Sequence, residues 1–110
     1  GYITAWRGKY TLKIHKTPGT VCNAALSAEM SKYVGEILGQ ENVRQAPPMK
    51  GAEDFAYVSK CVPSFFGFLG AGGADYYPLH NSRTIIDENV LPYGAAILAN
   101  CAVEWLNSHK

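Results

Sequence analysis

Two short segments carry polar side chains in arrangements that could do chemistry. In the first, Glu53 and Asp54 stand side by side, two residues after Gly51 and just before an apolar stretch. Adjacent carboxylates at such a junction can orient a metal ligand through hydrogen bonds or receive a polar group of a substrate. They also suit the start of a helix, where negative charge is stabilised by about 0.3–1 kcal/mol. The pair by itself leaves both interpretations open.

The second segment contains His80 and Asn81, in a long loop that follows an apolar run. Imidazole is the commonest metal ligand in proteins, and a loop after a buried strand is a usual place for a site in an α/β fold. The other two histidines are worse placed, because we expect His15 on the solvent face of a strand and His109 in a terminal tail. A zinc site needs roughly three or four protein ligands, so His80 is a candidate for one ligand of a larger set.

A glycine-rich run from Gly70 to Gly73 raises a third possibility, a loop whose backbone amides hold the pyrophosphate of a dinucleotide. Its spacing does not give the GxGxxG pattern, and the following Tyr76, Tyr77 and Pro78 do not begin a helix. We therefore interpret these glycines as a flexible loop that lets the backbone approach a ligand or a metal.

The elements that must position these segments alternate between strand and helix. Period-two alternation predicts one or two strands over residues 2–16, and a continuous apolar, aromatic run predicts a buried strand over 65–69. A short strand is also predicted over residues 42–46. Helical spacing predicts a helix between Asn23 and Gly39, a short helix after Asp54 and a final helix from about Asp87. This order predicts an α/β fold in which helices cover a sheet.

The final helix has a strongly apolar composition and Pro92 in its first turn, where a missing amide hydrogen costs little. Its buried face is predicted to hold Leu91, Ala95, Leu98, Ala102, Val103, Trp105 and Leu106.

Composition limits the class of protein. The 110 residues are 47% hydrophobic and 17% charged, which fits one domain with a core. Ten lysine and arginine residues and nine aspartate and glutamate residues leave a net charge of +1 and no basic stripe, so we expect neither a nucleic-acid nor a membrane partner. Three distant cysteines, Cys22, Cys61 and Cys101, predict reduced and mostly buried thiols in a cytoplasmic protein.

In this order, the motifs resemble those of the dinuclear-metal amidohydrolases and peptidases that include aminoacylases, hippurate hydrolases and indole-acetyl-amino-acid hydrolases. The segment from Met49 to Phe55 is similar to the family's methionine-glycine-x-glutamate-aspartate-phenylalanine signature. The segment from Pro63 to Gly70 is similar to its proline-led aromatic strand, and His80-Asn81 resembles its histidine-asparagine-proline motif. The likeness covers the chain from about residue 10 to residue 106.

The resemblance implies a fold and a division of the chain. Residues 17–110 would be the C-terminal part of an α/β metallohydrolase catalytic domain, a three-layer arrangement of a sheet with helices. Residues 1–16 would be the last strand or strands of an inserted lid domain, through which the parent protein forms a homodimer. We therefore expect the chain to be a fragment of a longer protein.

The resemblance also implies a chemistry. The parent protein would hydrolyse the amide bond of an N-acyl amino acid or small peptide with two divalent metal ions, which could be zinc, manganese or cobalt. His80 falls on the position of a metal ligand, and Gly51, Glu53, Asp54 and Asn81 fall near the metal or the substrate without ligating. The family's other ligands and its general-base glutamate lie upstream, so the chain alone is predicted to be inactive.

Three departures from the family pattern lie near these motifs. Ser64 stands where the family has a glycine, Ser82 stands where it has a proline, and the family's aromatic residue beyond that proline is replaced around Arg83 and Thr84. They leave His80 in place but alter the shape expected for the loop that follows it.

A different class of function stays open on the residues alone. The chain would then be a non-catalytic binding or interaction module of α/β type, in which Glu53 and His80 only cap and line a surface. The two functions can be distinguished in the sequence upstream of this chain. A cluster of aspartate, glutamate and histidine ligands there would favour the hydrolase over the interaction module.

Overall fold

The computed structural model describes residues 5–110, and every regular element within them is a helix. Helix α1 spans Ala24–Leu38, α2 spans Phe55–Cys61 and α3 spans Leu91–Ser108, with short 3-10 helices at Gln40–Asn42 and Glu88–Val90. All three predicted helices are therefore confirmed. Among the described helices, none combines the length and apolar character that crossing a membrane would require.

Helix α1 begins and ends where its local sequence indicates. The side chain of Asn23 accepts a hydrogen bond from the Leu26 amide at 2.9 Å, which satisfies a donor that has no partner within the helix. At the other end Gly39 has a φ of 84°, a backbone conformation that residues with a Cβ rarely adopt. Its N–H donates to the carbonyl of Gly35, so the last turn is closed.

The main contact between elements is the packing of α1 against α3. Met30 and Cys101 are buried between them, with exposed fractions of 6% and 9%. The Asn100 side-chain amide donates to the Tyr33 carbonyl at 3.0 Å and to the Glu36 carboxylate at 2.8 Å. A small apolar contact and two hydrogen bonds therefore hold the helices together. The hydrogen bonds fix the position of α3 along the axis of α1.

The predicted sheet does not form within residues 5–110, so the α/β, three-layer prediction is wrong for this chain. Residues 5–16, 42–46 and 65–69 contain no strand, and the start of the first predicted strand, residues 2–4, lies outside the described part. A strand is stabilised by a ladder of hydrogen bonds to a neighbouring strand. On either side of 65–69 the long-range backbone bonds are single ones, from Asn23 to Ser64 and from Asp87 to Ala71, both at 2.8 Å.

Two aromatic rings of the apolar run at 65–69 lie on one face of the chain although no sheet forms there. The rings of Phe66 and Phe68, two residues apart, meet edge to face at 5.2 Å, and Phe55 of α2 packs against Phe66 at 5.3 Å. Side chains at i and i+2 of an extended chain share a face, which accounts for this aromatic cluster. The pattern therefore indicates which side chains share a face, but it does not supply a partner strand.

The chain has an open shape and a small core. Its radius of gyration is 19.8 Å, against about 13 Å for a compact domain of this length. The predicted buried face of α3 is also wrong, because Leu98 is 75% exposed and Leu91, Val103 and Leu106 are exposed as well. The face turned away from solvent follows another row at helical spacing, which holds Gly94, Ile97, Cys101 and Glu104.

We expect Asn100→Ala to lower the free energy of unfolding by about 1 kcal/mol, because it removes the two hydrogen bonds that the Asn100 side chain donates to α1. Urea unfolding followed by circular dichroism would measure the change. Asn107→Ala is the matched control, since Asn107 is an exposed residue of the same helix. Equal losses in the two variants would contradict a clamping role for Asn100.

Candidate functional site

His80 is an exposed residue in a turn of the loop between α2 and α3. Its backbone φ is 67°, in the left-handed region that only a few per cent of non-glycine residues adopt. Histidine is among the residue types that are found there more often than most. The imidazole is thus presented to solvent on a backbone that is unusual for a side chain of this size.

The turn around His80 is closed by hydrogen bonds from its flanks. The Thr84 hydroxyl donates to the Pro78 carbonyl at 2.5 Å, and the Thr84 amide donates to the Asn81 carbonyl at 3.0 Å. The side-chain oxygen of Asn81 accepts from the Arg83 amide at 2.9 Å. Asn81 therefore shapes the loop, and its predicted place beside a metal or substrate stays a prediction.

Arg83 extends this loop toward an aromatic side chain. Its guanidinium carbon lies 4.3 Å from the centre of the Tyr77 ring, a cation–π contact. The Asp87 amide donates a hydrogen bond to the Ala71 carbonyl. This bond joins the glycine-rich run to the end of the long loop that leads to α3. A turn and no helix follows the glycines, in agreement with their interpretation as a loop and not as a dinucleotide site.

Glu53 and Asp54 lie at the start of α2, as the sequence predicts. The Glu53 carbonyl accepts from the Ala56 amide at 3.0 Å, and its carboxylate accepts from the Phe55 amide at 3.3 Å. Asp54 already has helical backbone angles and makes no side-chain capping bond. The two hydrogen bonds support the helix-start interpretation for Glu53. Both carboxylates are exposed and therefore remain accessible to a ligand.

Gly51 precedes this pair in an exposed loop. A Cβ added there would meet nothing within 4 Å, and its φ is not in the left-handed region. Neither crowding nor backbone conformation within the described residues requires a glycine here. Its predicted place in a substrate loop stays a prediction.

The candidate residues fall into two pairs that do not meet. His80 and Asn81 share one turn, Glu53 and Asp54 share the start of α2, and no hydrogen bond or ion pair between described residues joins the two. No group of three or more His, Cys, Asp or Glu in residues 5–110 is arranged to hold a metal ion. The exposed imidazole suits a divalent cation chemically, but these residues do not fit a complete metal site.

The structure reveals a polar cluster between α1 and α3 that the sequence reasoning missed. The Glu29 carboxylate accepts from the Tyr33 hydroxyl at 2.9 Å and from the Ser108 hydroxyl at 3.3 Å. The hydroxyls of Tyr33 and Ser108 also form a hydrogen bond, at 3.1 Å, which acts to lower the pKa of Tyr33. Partial burial, the bond to Glu29 and the nearby charges of Glu29 and Glu104 outweigh it and raise the pKa of Tyr33.

His109 belongs to this cluster, so the expectation of a free terminal tail is wrong. It is the C-cap of α3, its ring stacks on Trp105 with centroids 4.5 Å apart, and its Nδ1 lies 3.7 Å from Glu29. The spacing of Trp105 and His109, four residues apart on a helix, was the signal that could have indicated this contact.

The cysteines also differ from expectation. Cys22 and Cys61 are exposed and only Cys101 is buried, so the prediction of mostly buried thiols is wrong; all three are free thiols. Burial and the charge of Glu36 raise the pKa of the Cys101 thiol. The three cysteines therefore fall into two environments, one shielded and two open to solvent.

Comparisons with known proteins identify the relatives of this chain. A 42% identity over 91 residues links it to IAA-amino acid hydrolase ILR1-like 2 of Arabidopsis thaliana, covering 81% of this chain and 21% of that protein. Thermostable carboxypeptidase 1 of Saccharolobus solfataricus is 34% identical over 93 residues, covering 82% of this chain and 23% of that protein. N-acetyldiaminopimelate deacetylase of Streptococcus suis is 37% identical over 78 residues, covering 71% of this chain and 20% of that protein.

These relatives are all hydrolases, and the chain spans about a fifth of their length. The profile of peptidase family M20/M25/M40 matches residues 3–104, which is most of the chain and includes both candidate segments. The family predicted from the ordered motifs is confirmed by this match and by the identities above. The chain therefore belongs to peptidase family M20/M25/M40.

Proposed function

We propose that the protein carrying this chain is a metal-dependent amidohydrolase that cleaves the bond between an acyl group and an amino acid, and that His80 is one of its metal ligands. The observation that carries the proposal is the presentation of His80, an exposed imidazole on a left-handed backbone, within a segment that matches the M20/M25/M40 family. The alternative, a non-catalytic interaction module, has no comparable observation in its favour.

The backbone of His80 supports a functional role. A left-handed conformation costs an ordinary residue roughly 1–2 kcal/mol, and such costs persist where the surrounding structure holds the residue in place. Here the bonds of Thr84 to Pro78 and to Asn81 hold the turn. A residue kept in this conformation has its side chain aimed by the loop, which is what a metal ligand requires.

The names of the relatives support the substrate class. They describe hydrolysis of an IAA-amino acid, removal of a residue from the carboxyl end of a peptide and removal of an acetyl group from N-acetyldiaminopimelate. Each of these substrates carries an amino acid joined to another group. We infer that the substrate here is an N-acyl amino acid or a small peptide.

The division of chemical work follows from the residues that are present. A bound pair of divalent cations, zinc, manganese or cobalt, would supply a water of lowered pKa and polarise the scissile carbonyl. The imidazole of His80 would hold one cation through a ring nitrogen, and Asn81 would keep the loop in shape through its bond to the Arg83 amide. The exposed carboxylates of Glu53 and Asp54 are available to orient a ligand or to receive a polar group of the substrate.

The division of the chain at residue 16 is part of the same proposal. Residues 5–17 are exposed throughout, and packing begins at Pro18 and beyond, which supports a boundary between a lid segment and a catalytic segment. Residues 1–16 would belong to the lid domain, through which two protomers would associate, and residues 17–110 to the catalytic domain. A cytoplasmic location stays a prediction from the thiols.

We expect His80→Ala in the complete protein that carries this chain to lower kcat/KM for an N-acyl amino acid by more than about 100-fold. Loss of a group that only supports a metal ligand commonly costs 10–100-fold, so loss of a ligand should cost more. The metal content per protomer, measured by mass spectrometry of the purified protein, should fall together with activity.

His15→Ala provides the matched control, since His15 is also exposed and lies in the segment assigned to the lid. It should keep the metal content and the activity of the unaltered protein. Unchanged metal stoichiometry in His80→Ala would end the assignment of His80 as a ligand.

A second pair of variants separates the backbone of position 80 from its side chain. His80→Gly and His80→Ala both remove the imidazole, but only glycine adopts a φ of 67° without strain. We expect the glycine variant to be more stable by about 1 kcal/mol in urea unfolding, while both variants lose metal equally. An alanine variant as stable as the glycine variant would contradict the strained backbone.

A further inference from the structure

Two exposed thiols lie in one cleft, between the segment before α1 and the end of α2. The cleft has a volume of about 460 Å³, and both Cys22 and Cys61 line it. Both are exposed and free. They are 39 positions apart in the sequence, and no sequence motif contains both of them.

Hydrogen bonds on both sides of the cysteines keep these two segments next to each other. The Val21 amide donates to the Ser59 hydroxyl at 3.3 Å, and the Asn23 amide donates to the Ser64 carbonyl at 2.8 Å. In the sequence, Cys22 lies between the two donors, Val21 and Asn23. Cys61 lies between the two acceptors, Ser59 and Ser64. The two cysteines are therefore bracketed by the same pair of contacts.

These bracketing contacts are themselves well supported. Ser64 is buried, with an exposed fraction of 6%, and its hydroxyl donates to the Val62 carbonyl at 2.9 Å. The Ser59 hydroxyl donates in turn to the Ala56 carbonyl at 3.0 Å. Ser64 is one of the departures from the family pattern, and here it anchors the segment that follows Cys61.

We propose that Cys22 and Cys61 form a reversible disulfide when a small-molecule disulfide such as oxidised glutathione is present. A disulfide requires Cα atoms about 4.4–6.8 Å apart, a separation that two segments joined by direct hydrogen bonds can reach. The disulfide would tie the segment before α1 to the end of α2. Glu53 and Asp54 directly precede α2, so the disulfide would also restrain the helix that follows these carboxylates.

The reaction proceeds by two exchanges. The thiolate of one cysteine attacks the small disulfide, whose sulfur–sulfur bond breaks, and one small thiol leaves. The thiolate of the second cysteine then attacks the protein sulfur of the mixed disulfide and releases the second small thiol. The two protein thiols lose two electrons and two protons, and the small disulfide gains them as two thiols.

The neighbourhood of the cleft favours such an exchange. The exposed Lys60 lines it and attracts the carboxylates of oxidised glutathione. Cys101 offers the opposite environment within the same chain, because its thiol is buried and burial raises its pKa. Cys101 is therefore an internal control, because its buried thiol should react with oxidised glutathione more slowly than the two exposed thiols.

Tryptic peptide mapping tests the proposal directly. Cleavage after lysine and arginine places the three cysteines in separate peptides, 17–32, 61–83 and 84–110. The reduced protein that carries this chain is incubated with oxidised glutathione, its free thiols are alkylated under denaturing conditions, and it is digested without reduction. We expect a cross-linked pair of peptides 17–32 and 61–83 that disappears on reduction, in protein that runs as a monomeric polypeptide on a non-reducing denaturing gel.

The variants sharpen the test. Cys22→Ser and Cys61→Ser should each abolish the cross-link and leave a glutathione adduct on the remaining exposed cysteine, while Cys101→Ser should leave the cross-link unchanged. Separate glutathione adducts on Cys22 and Cys61 without a cross-link would overturn the proposal. A cross-link of either cysteine to peptide 84–110, to another part of the protein or to a second polypeptide would overturn it as well.

Discussion

The contact of α1 with α3 is the constraint on which the rest of the described structure depends. Its apolar part is small, with Met30 and Cys101 buried and few other large side chains enclosed. Its polar part, the bonds from Asn100 to Tyr33 and Glu36 and the cluster around Glu29, sets how the helices align. The segments that carry the candidate site residues are joined to this pair by individual hydrogen bonds, such as those from Asn23 to Ser64 and from Asp87 to Ala71.

Features that depend on local physics were predictable from the sequence. Asn23 satisfies an unpaired amide of α1, and Gly39 accepts a left-handed backbone after its last turn. Pro92 lies in the first turn of α3, where its missing amide hydrogen costs little. These signals act within one or two helical turns, so the helices appear where they were expected.

Features that depend on distant partners were not predictable. The aromatic run at 65–69 is as apolar as a buried strand would be, but within the described chain no neighbouring strand pairs with it. Hydrophobicity alone does not indicate the buried face of α3, because its contact with α1 is made by Cys101 and by the polar side chain of Asn100. Many large apolar side chains remain exposed on a chain that spans about a fifth of the length of its relatives.

The arrangement of the candidate site also depends on contacts between segments that are distant in the sequence. Motif order led to the family, and His80 occupies an exposed, conformationally unusual position that fits a ligand role. The position of the ring relative to Glu53 and Asp54 depends on how two loops are held, which spacing in the sequence does not encode. The left-handed φ of His80 and the bracketing of Cys22 and Cys61 become visible only in three dimensions.

The most direct test of the central claim is anomalous X-ray diffraction from crystals of the complete metal-loaded protein, collected at the absorption edge of the bound metal. We expect an anomalous peak about 2 Å from a ring nitrogen of His80. A fully occupied metal site whose ligands exclude His80, with its imidazole left in solvent, would contradict it.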